Sequence, residues 1–234
     1  MNSKLIKFIN EIPGWLSEKE AIFLSQVAKN SQKYKGDIVE IGSFHGKSTI
    51  CLAQGKGKVY AIDPHKGYVE ANKVFPSSYT KFLKSINEAR VNKKIVPLVM
   101  KSKTASKTWK RKIRLLFIDG LHDEKNAFQD YELFNNYVIE NGIVAVHDSF
   151  LRWCGSEKMA MKKIVNSSEY YKIGIVGSII YGVKGQGTLS DKIIKLALSV
   201  AINTLVKLNH LKLTIFNLPE ILKTKILPRY NIDL

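Results

Sequence analysis

Two groups of residues in this chain have the types and spacing to do chemistry. The first is Ile38-Val39-Glu40-Ile41-Gly42-Ser43-Phe44-His45-Gly46-Lys47-Ser48-Thr49, which reads as a strand, a turn with two glycines and the start of a helix. Glycine lets backbone approach a ligand closely, and the first N–H groups of a helix lack partners within it, so a polar ligand is expected at this turn. The second group is Asp119 with His122 after one apolar run, and His147 with Asp148 after another. If both runs are neighbouring parallel strands, the two carboxylates emerge at one edge of the sheet. Without a cation they would repel and raise one pKa, which a divalent ion or an imidazolium would relieve. An imidazole titrates near neutral pH and can take a hydroxyl proton, so His122 and His147 are candidate general bases. The plainer alternative is that either ring bonds backbone at a strand end.

Two ligands compete for the glycine turn. Gly46-Lys47-Ser48 resembles the end of a phosphate-cradling loop, and Leu115-Leu116-Phe117-Ile118-Asp119 the apolar strand and acid that complete an ATPase site. Such a loop needs four residues between its glycines, and Gly42 to Gly46 leaves three. Glu40 would also set a carboxylate beside the triphosphate. A cationic or hydroxyl-bearing ligand would favour that acid. Asp63 ends the next apolar run 21 residues after Gly42, the spacing at which an acid bonds ribose hydroxyls in such folds. The ligand expected here has a ribose and no pyrophosphate. Singly, a loop glycine is only a turn and a strand-end Asp only a cap; their coincidence in strand context carries the reading.

The elements that must hold these groups follow from periodicity. Asp37–Ile41, Lys58–Ile62, Ile95–Met100, Ile113–Ile118 and Ile143–His147 are short β-branched runs, continuous as in strands covered on both faces. Lys47–Gln54, Ser77–Val91 and Glu124–Glu140 between them have helical length and composition, so the series predicts a doubly wound, mostly parallel α/β sheet. Tyr170–Val176 and Ser178–Val183, joined tightly at Gly177, must pair antiparallel. A helix is expected near Ser156–Val165. Ahead of the sheet, Ser17-Glu18-Lys19-Glu20 reads as a capping box opening a helix to about Lys29, after an earlier short helix ended by Pro13-Gly14. The division expected is a helical preamble over 1–36, a main domain over 37–187 and a helical tail over 188–234.

The chain has 234 residues, 45% of them hydrophobic, which suits one large domain with appendages and excludes a disordered or fibrous class. The 37 Lys and Arg against 20 Asp and Glu give +17, which favours an anionic partner or a Lys-rich solvated surface. Only five of these cations are Arg, the side chain suited to bidentate phosphate recognition, and no RNA-binding module or aromatic-basic stacking motif is present. Both features speak against nucleic acid. Cys51 and Cys154 are far apart, giving neither a disulfide framework nor a zinc site and fitting reduced thiols in the cytoplasm. No signal peptide and no charge-free stretch of transmembrane length is seen.

The two motif groups together resemble the class I methyltransferases. Residues 40–49 look like the first motif of that family, and Ala61-Ile62-Asp63-Pro64-His65 like the second. Ile118-Asp119-Gly120-Leu121-His122, then Asp130, and Gly142-Ile143-Val144-Ala145-Val146-His147-Asp148 resemble its bacterial branch of macrolide-sugar O-methyltransferases and cephalosporin hydroxylase-like proteins. The resemblance spans about Trp15 to Lys184 and implies a Rossmann-like domain that binds S-adenosylmethionine. Glu40, Gly42, Ser43 and Gly46 would surround its methionine and ribose parts, Asp63 would hold the ribose, Ser102 would lie near the adenine, and Asp119 would adjoin the site. His122, Asp119 and His147 are the catalytic candidates. In metal-dependent relatives, acids at the places of Asp119 and Asp148 hold Mg²⁺, commonly with a second acid beside Asp148. Here His147 stands in that position, and Mg²⁺ prefers oxygen ligands, so the set suits a softer metal or none. Glu124 stands where many members have an aromatic residue.

The acceptor implied is a hydroxyl of a sugar, a glycan or a natural-product precursor. Two alternatives remain at this stage: a nucleic-acid methyltransferase, or a catalytically altered scaffold of the same fold at a membrane. The tail Asp191–Asn209 sets Ile194, Leu196, Val200 and Leu205 among Lys192, Lys195 and Lys207, an amphipathic pattern. It suits packing on the main domain, self-association, or peripheral contact with the inner face of an anionic membrane. Leu211–Ile226 adds further apolar residues.

Overall fold

The computed structural model describes residues 3–66, 68–70, 73–75, 77–150 and 155–210. Cys154 and the tail segment Leu211–Ile226, with the residues after it, lie outside the described residues. In chain order the elements are α1 (Ser3–Glu11), α2 (Glu18–Asn30), β1 (Asp37–Ile41), α3 (Lys47–Leu52), β2 (Val59–Ile62), β3 (Tyr68–Glu70), β4 (Lys73–Phe75) and α4 (Tyr79–Glu88). They continue with β5 (Ile95–Leu98), α5 (Ser102–Ser106), β6 (Ile113–Ile118), α6 (Glu124–Asn135), β7 (Val138–Val146), α7 (Gly155–Ala160), β8 (Tyr170–Val176), β9 (Ile179–Lys184) and α8 (Leu189–His210). A π-helical stretch, Met161–Val165, extends α7.

Seven strands form one sheet in the order β5-β2-β1-β6-β7-β9-β8, and β3 pairs with β4 in a separate hairpin. The first five are parallel, and β9 runs antiparallel to both β7 and β8. This is the doubly wound sheet the strand pattern predicts, with the late strands paired antiparallel as expected. The chain leaves β1 in one direction toward β5 and returns on the other side through β6, so a crevice opens at the carboxyl ends of β1 and β6.

The strands read as unbroken apolar runs because helices cover both faces: every residue of β6 is buried. On one face α1 to α4 pack through Leu24, Val27, Ile50 and Phe82; on the other α6, α7 and α8 pack through Phe134, Met159 and Ile202. The helix expected over Glu124–Glu140 stops at Asn135, and Val138–Glu140 join β7 instead. Val138 pairs with Ile113, Asn141 takes φ +60, and the register slips before Ile143 pairs with Leu115. Periodicity there was overridden by strand pairing. The hairpin β3–β4 and the short α5 were not anticipated.

Two of the five arginines are used by the fold. Arg114 is 2% exposed within β6 and donates through Nη2 to the Lys56 carbonyl, while Arg111 pairs with Asp37 at 2.5 Å. Neither is left for an anionic partner.

Candidate functional site

The glycine turn is built by close backbone packing. Gly42 has φ +88, and a Cβ there would come within 2.0 Å of the Asp119 carbonyl, so only glycine lets β1 end against the end of β6. Gly46 has φ +86 and caps α3, with Phe82 and Ile86 closing the space beside it. Both glycines allow close chain–chain contact, and Gly42 also lines the cavity described below. Glu40 is fully buried, accepting from Ser48 Oγ at 2.6 Å and Thr49 Oγ1 at 2.5 Å. Burial pushes its carboxyl up to about 8 against the pull of those hydroxyls, and neighbouring Asp119 and Asp63 add to the rise.

Asp63 fixes the turn. Its Oδ2 accepts the N–H groups of Ser43 at 3.0 Å and Phe44 at 2.8 Å, and its Oδ1 that of His65 at 2.6 Å. A carboxylate has about four lone-pair sites, so one direction is left for a ligand hydroxyl. The Ser43 hydroxyl is buried and has no protein partner, and His45 Nδ1 is in the same condition.

These residues open onto a cavity of about 410 Å³, within the range of small-molecule sites. Gly42, Ser43, Asp63, Ser102, Asp119 and His122 line it, so six sequence candidates meet on one wall. Glu40, Gly46, His147 and Asp148 stand behind that wall. The structure adds residues the sequence reading did not assign. Pro13, Gly14, Trp15 and Leu16, from the segment between α1 and α2, form part of the rim. Asn126, Gln129 and Asp130 project from α6 at i, i+3 and i+4, a one-face spacing legible from sequence once α6 is placed. Ser102 donates to Asp130 Oδ1 at 2.5 Å, and burial pushes Asp130 up to about 6 against that bond. Gly120 makes room for it: a Cβ there would sit 2.9 Å from Asp130 Oδ2.

Behind the wall, His147 at the end of β7 has a side chain only 3% exposed. Its Nδ1 lies 2.9 Å from Asp119 Oδ1 and 3.7 Å from Asp148 Oδ2, and its Nε2 lies 3.6 Å from Glu20 Oε2. The ring is held among these three carboxylates. Burial opposes its protonation, but Asp119, Glu20 and Asp148 outweigh that and hold His147 up to about 10. Burial also pushes Asp119 up, with His147 pulling it back.

Glu20 is the residue sequence reading placed only in a capping box. That box is present: Ser17 Oγ accepts from the Glu20 N–H, and Glu20 accepts from the Ser17 N–H at 2.8 Å. The same carboxylate also accepts from Ser178 N–H at 2.7 Å and Ser178 Oγ at 2.9 Å, in the β8–β9 turn. Burial would raise Glu20, yet His147, Ser17 and Ser178 hold it well below the usual carboxylate range. One buried acid thus joins α2, the β8–β9 turn and the end of β7.

His122 sits differently. Its side chain is 39% exposed, its Nδ1 meets Ser156 Oγ at 3.1 Å, and its Nε2 is 3.5 Å from Asp148 Oδ2.

S-adenosylmethionine fits this site. Asp119 and Asp63 lie close enough to raise the cost of ionising Glu40, and a sulfonium or ammonium would offset that. The orphaned Ser43 hydroxyl and the polar face of α6 give hydrogen-bonding partners for its polar ends. A divalent ion at Asp119 and Asp148 does not fit. His147 stands against both carboxylates, and the described residues contain no cluster of three or more His, Cys, Asp or Glu arranged to hold a metal. The imidazolium is the relief found here for those two acids.

Residues 39–149 match the family model of the methyltransferase domain. An uncharacterized protein, R132 of Acanthamoeba polyphaga mimivirus, is 26% identical over 167 residues, covering 66% of this chain and 72% of that protein. Among solved structures, an O-methyltransferase from Bacillus cereus in complex with SAH superposes with TM-score 0.59 at 16% identity, covering 79% of this chain and 92% of that chain. The TDP-rhamnose 3'-O-methyltransferase CalS11 of calicheamicin biosynthesis superposes with TM-score 0.54 at 13% identity, covering 78% and 92%. Residues 39–149 thus match a methyltransferase domain, on a fold shared with these O-methyltransferase structures.

Proposed function

We propose that the protein is an O-methyltransferase whose acceptor is a hydroxyl of a sugar, a glycan or a natural-product precursor, with His122 as general base. One observation carries this reading: of the two imidazoles on the cavity wall, His45 is buried, whereas His122 is half-exposed, anchored on Ser156 and facing Asp148. The likeness to CalS11 supports a sugar hydroxyl.

Ser43, Asp63, Ser102 and Asp130 would hold the cofactor, and Asp119 the neighbourhood of its sulfonium. Bound S-adenosylmethionine supplies an electrophilic methyl group. Transfer to the acceptor oxygen would break the carbon–sulfur bond and leave its electron pair on sulfur. With Nδ1–H donated to Ser156, Nε2 of His122 takes the hydroxyl proton, and Asp148 stabilises the imidazolium formed. His147 keeps Asp119 and Asp148 in place without a metal.

The test is transfer of a labelled methyl group from S-adenosylmethionine to a panel of sugars and nucleotide sugars, with RNA alongside. Label on a sugar hydroxyl supports the reading. Label on RNA alone, or none on any hydroxyl despite cofactor binding, overturns it. Calorimetry should show binding of S-adenosylmethionine and not of ATP, and Asp63→Ala should weaken it by about 1–3 kcal/mol.

A further inference from the structure

The described residues expose eight large hydrophobic side chains, and five of them, Leu189, Ile193, Ile194, Leu196 and Val200, are on α8. Leu189, Ile193, Leu196 and Val200 are 75%, 60%, 67% and 60% exposed and recur at intervals of 4, 3 and 4, which sets them in one stripe. The opposite face of α8 is already used: Ile202 and Val206 are buried, Ser199 donates to the Val165 carbonyl, and Asn203 bonds Asn166. The helix is therefore docked on the domain by one side and presents an apolar stripe on the other.

We infer that this stripe is a docking face for an anionic lipid bilayer, on which α8 lies in the plane of the headgroups. Charge selects this occupant. The exposed charges beside the stripe are Lys192 at its margin and Lys207 beyond Val200, and both would meet anionic headgroups. The helix has one acid, Asp191, whose carboxylate accepts from Thr188 N–H at 2.9 Å and lies 4.0 Å from Lys172. The one acid that a second copy of α8 would bring, Asp191, is already engaged by Thr188 and Lys172. The helix lies on the surface rather than through it, since no helix among the described residues is long and apolar enough to cross a membrane. At about 1.5 Å per residue the stripe from Leu189 to Val200 is on the order of 16 Å long. The net charge of +17 adds long-range attraction to such a surface. Residues 39–149, which match the methyltransferase model, end before β8, β9 and α8. The helix nevertheless touches the site's support: His210 meets Glu157 of α7 at 2.6 Å, and the adjacent Ser156 anchors His122.

The experiment uses the full chain, sedimented with vesicles of phosphatidylglycerol or of phosphatidylcholine, beside a variant carrying Leu196→Ser and Val200→Ser. That pair removes apolar area and leaves the charge unchanged. The protein should partition onto phosphatidylglycerol and not phosphatidylcholine, and the variant should bind at least about tenfold more weakly. Three results would each overturn the inference: no binding to phosphatidylglycerol, equal binding by the variant, or a lipid-free dimer that the variant converts to monomer. Methyl transfer in solution does not depend on this face, so loss of vesicle binding and loss of activity separate the two readings.

Discussion

His122 and His147 are set at the ends of neighbouring strands, yet they occupy opposite environments. His122 borders the cavity with a neutral hydroxyl on one nitrogen and a carboxylate 3.5 Å from the other. His147 is sealed behind the same wall among three carboxylates, which hold it protonated. A ring that must gain and lose a proton needs access to substrate; a ring that holds acids together needs burial. The two share a residue type and a sheet edge, and under the proposed reaction the environment would divide their work.

The largest expected effect separates them by activity. His122→Ala should lower kcat by roughly 10²–10⁴-fold, the usual contribution of a general base, and leave stability within about 0.5 kcal/mol. Steady-state kinetics beside urea denaturation checks both parts, and full activity in this variant removes the role assigned to His122.

Substitution of His147 should reverse the pattern. His147→Gln leaves Glu20, Asp119 and Asp148 without their shared cation, and losing one partner of a buried charge group costs on the order of 3–5 kcal/mol. Urea unfolding measures it. A variant as stable as the parent would show that the buried charge does not hold α2 to β7.

The pH dependence sharpens the contrast. The folded pKa of His147 is raised from about 6.5 to about 10, so its contribution is fully present below the lower value and is lost as pH rises through the upper one. Glu20 is shifted the other way, so its contribution is present above its ordinary value near 4.5 and is lost as pH falls. The difference in stability between the parent and His147→Gln should therefore shrink from about pH 6.5 to pH 10. Thermal melts across that range would decide it.

The smallest effect tests the far end of the network. Ser17→Ala removes the side-chain cap of α2 and one donor to Glu20, and should cost about 1 kcal/mol. Chemical denaturation suffices, and a loss as large as that of His147→Gln would place the weight on the cap instead.

Much of the site was legible in the sequence because it consists of strand ends. Asp63, Asp119, His122, His147 and Asp148 each follow an apolar run, and a parallel sheet carries such residues to one edge whatever the detailed packing. Glu20 was legible only as a cap. Its approach to His147 joins residues more than a hundred positions apart, and local spacing says nothing about such a contact. The contribution of Pro13–Leu16 to the rim was hidden for the same reason, since it depends on how α1 and α2 fold back over the sheet.

The sequence by itself determined the order of elements, the antiparallel hairpin at Gly177, the capping box and the residue types at the crevice, because periodicity, turn chemistry and local hydrogen bonds act over a few residues. Tertiary structure alone decided that Gly42 is required by the Asp119 carbonyl, that Glu40 is held by Ser48 and Thr49, and that β7 takes Val138–Glu140 from α6. It also decided that His122 lines the cavity and His147 does not. Burial and the sum of neighbouring charges fix a proton's position, and both arise only when distant segments pack together.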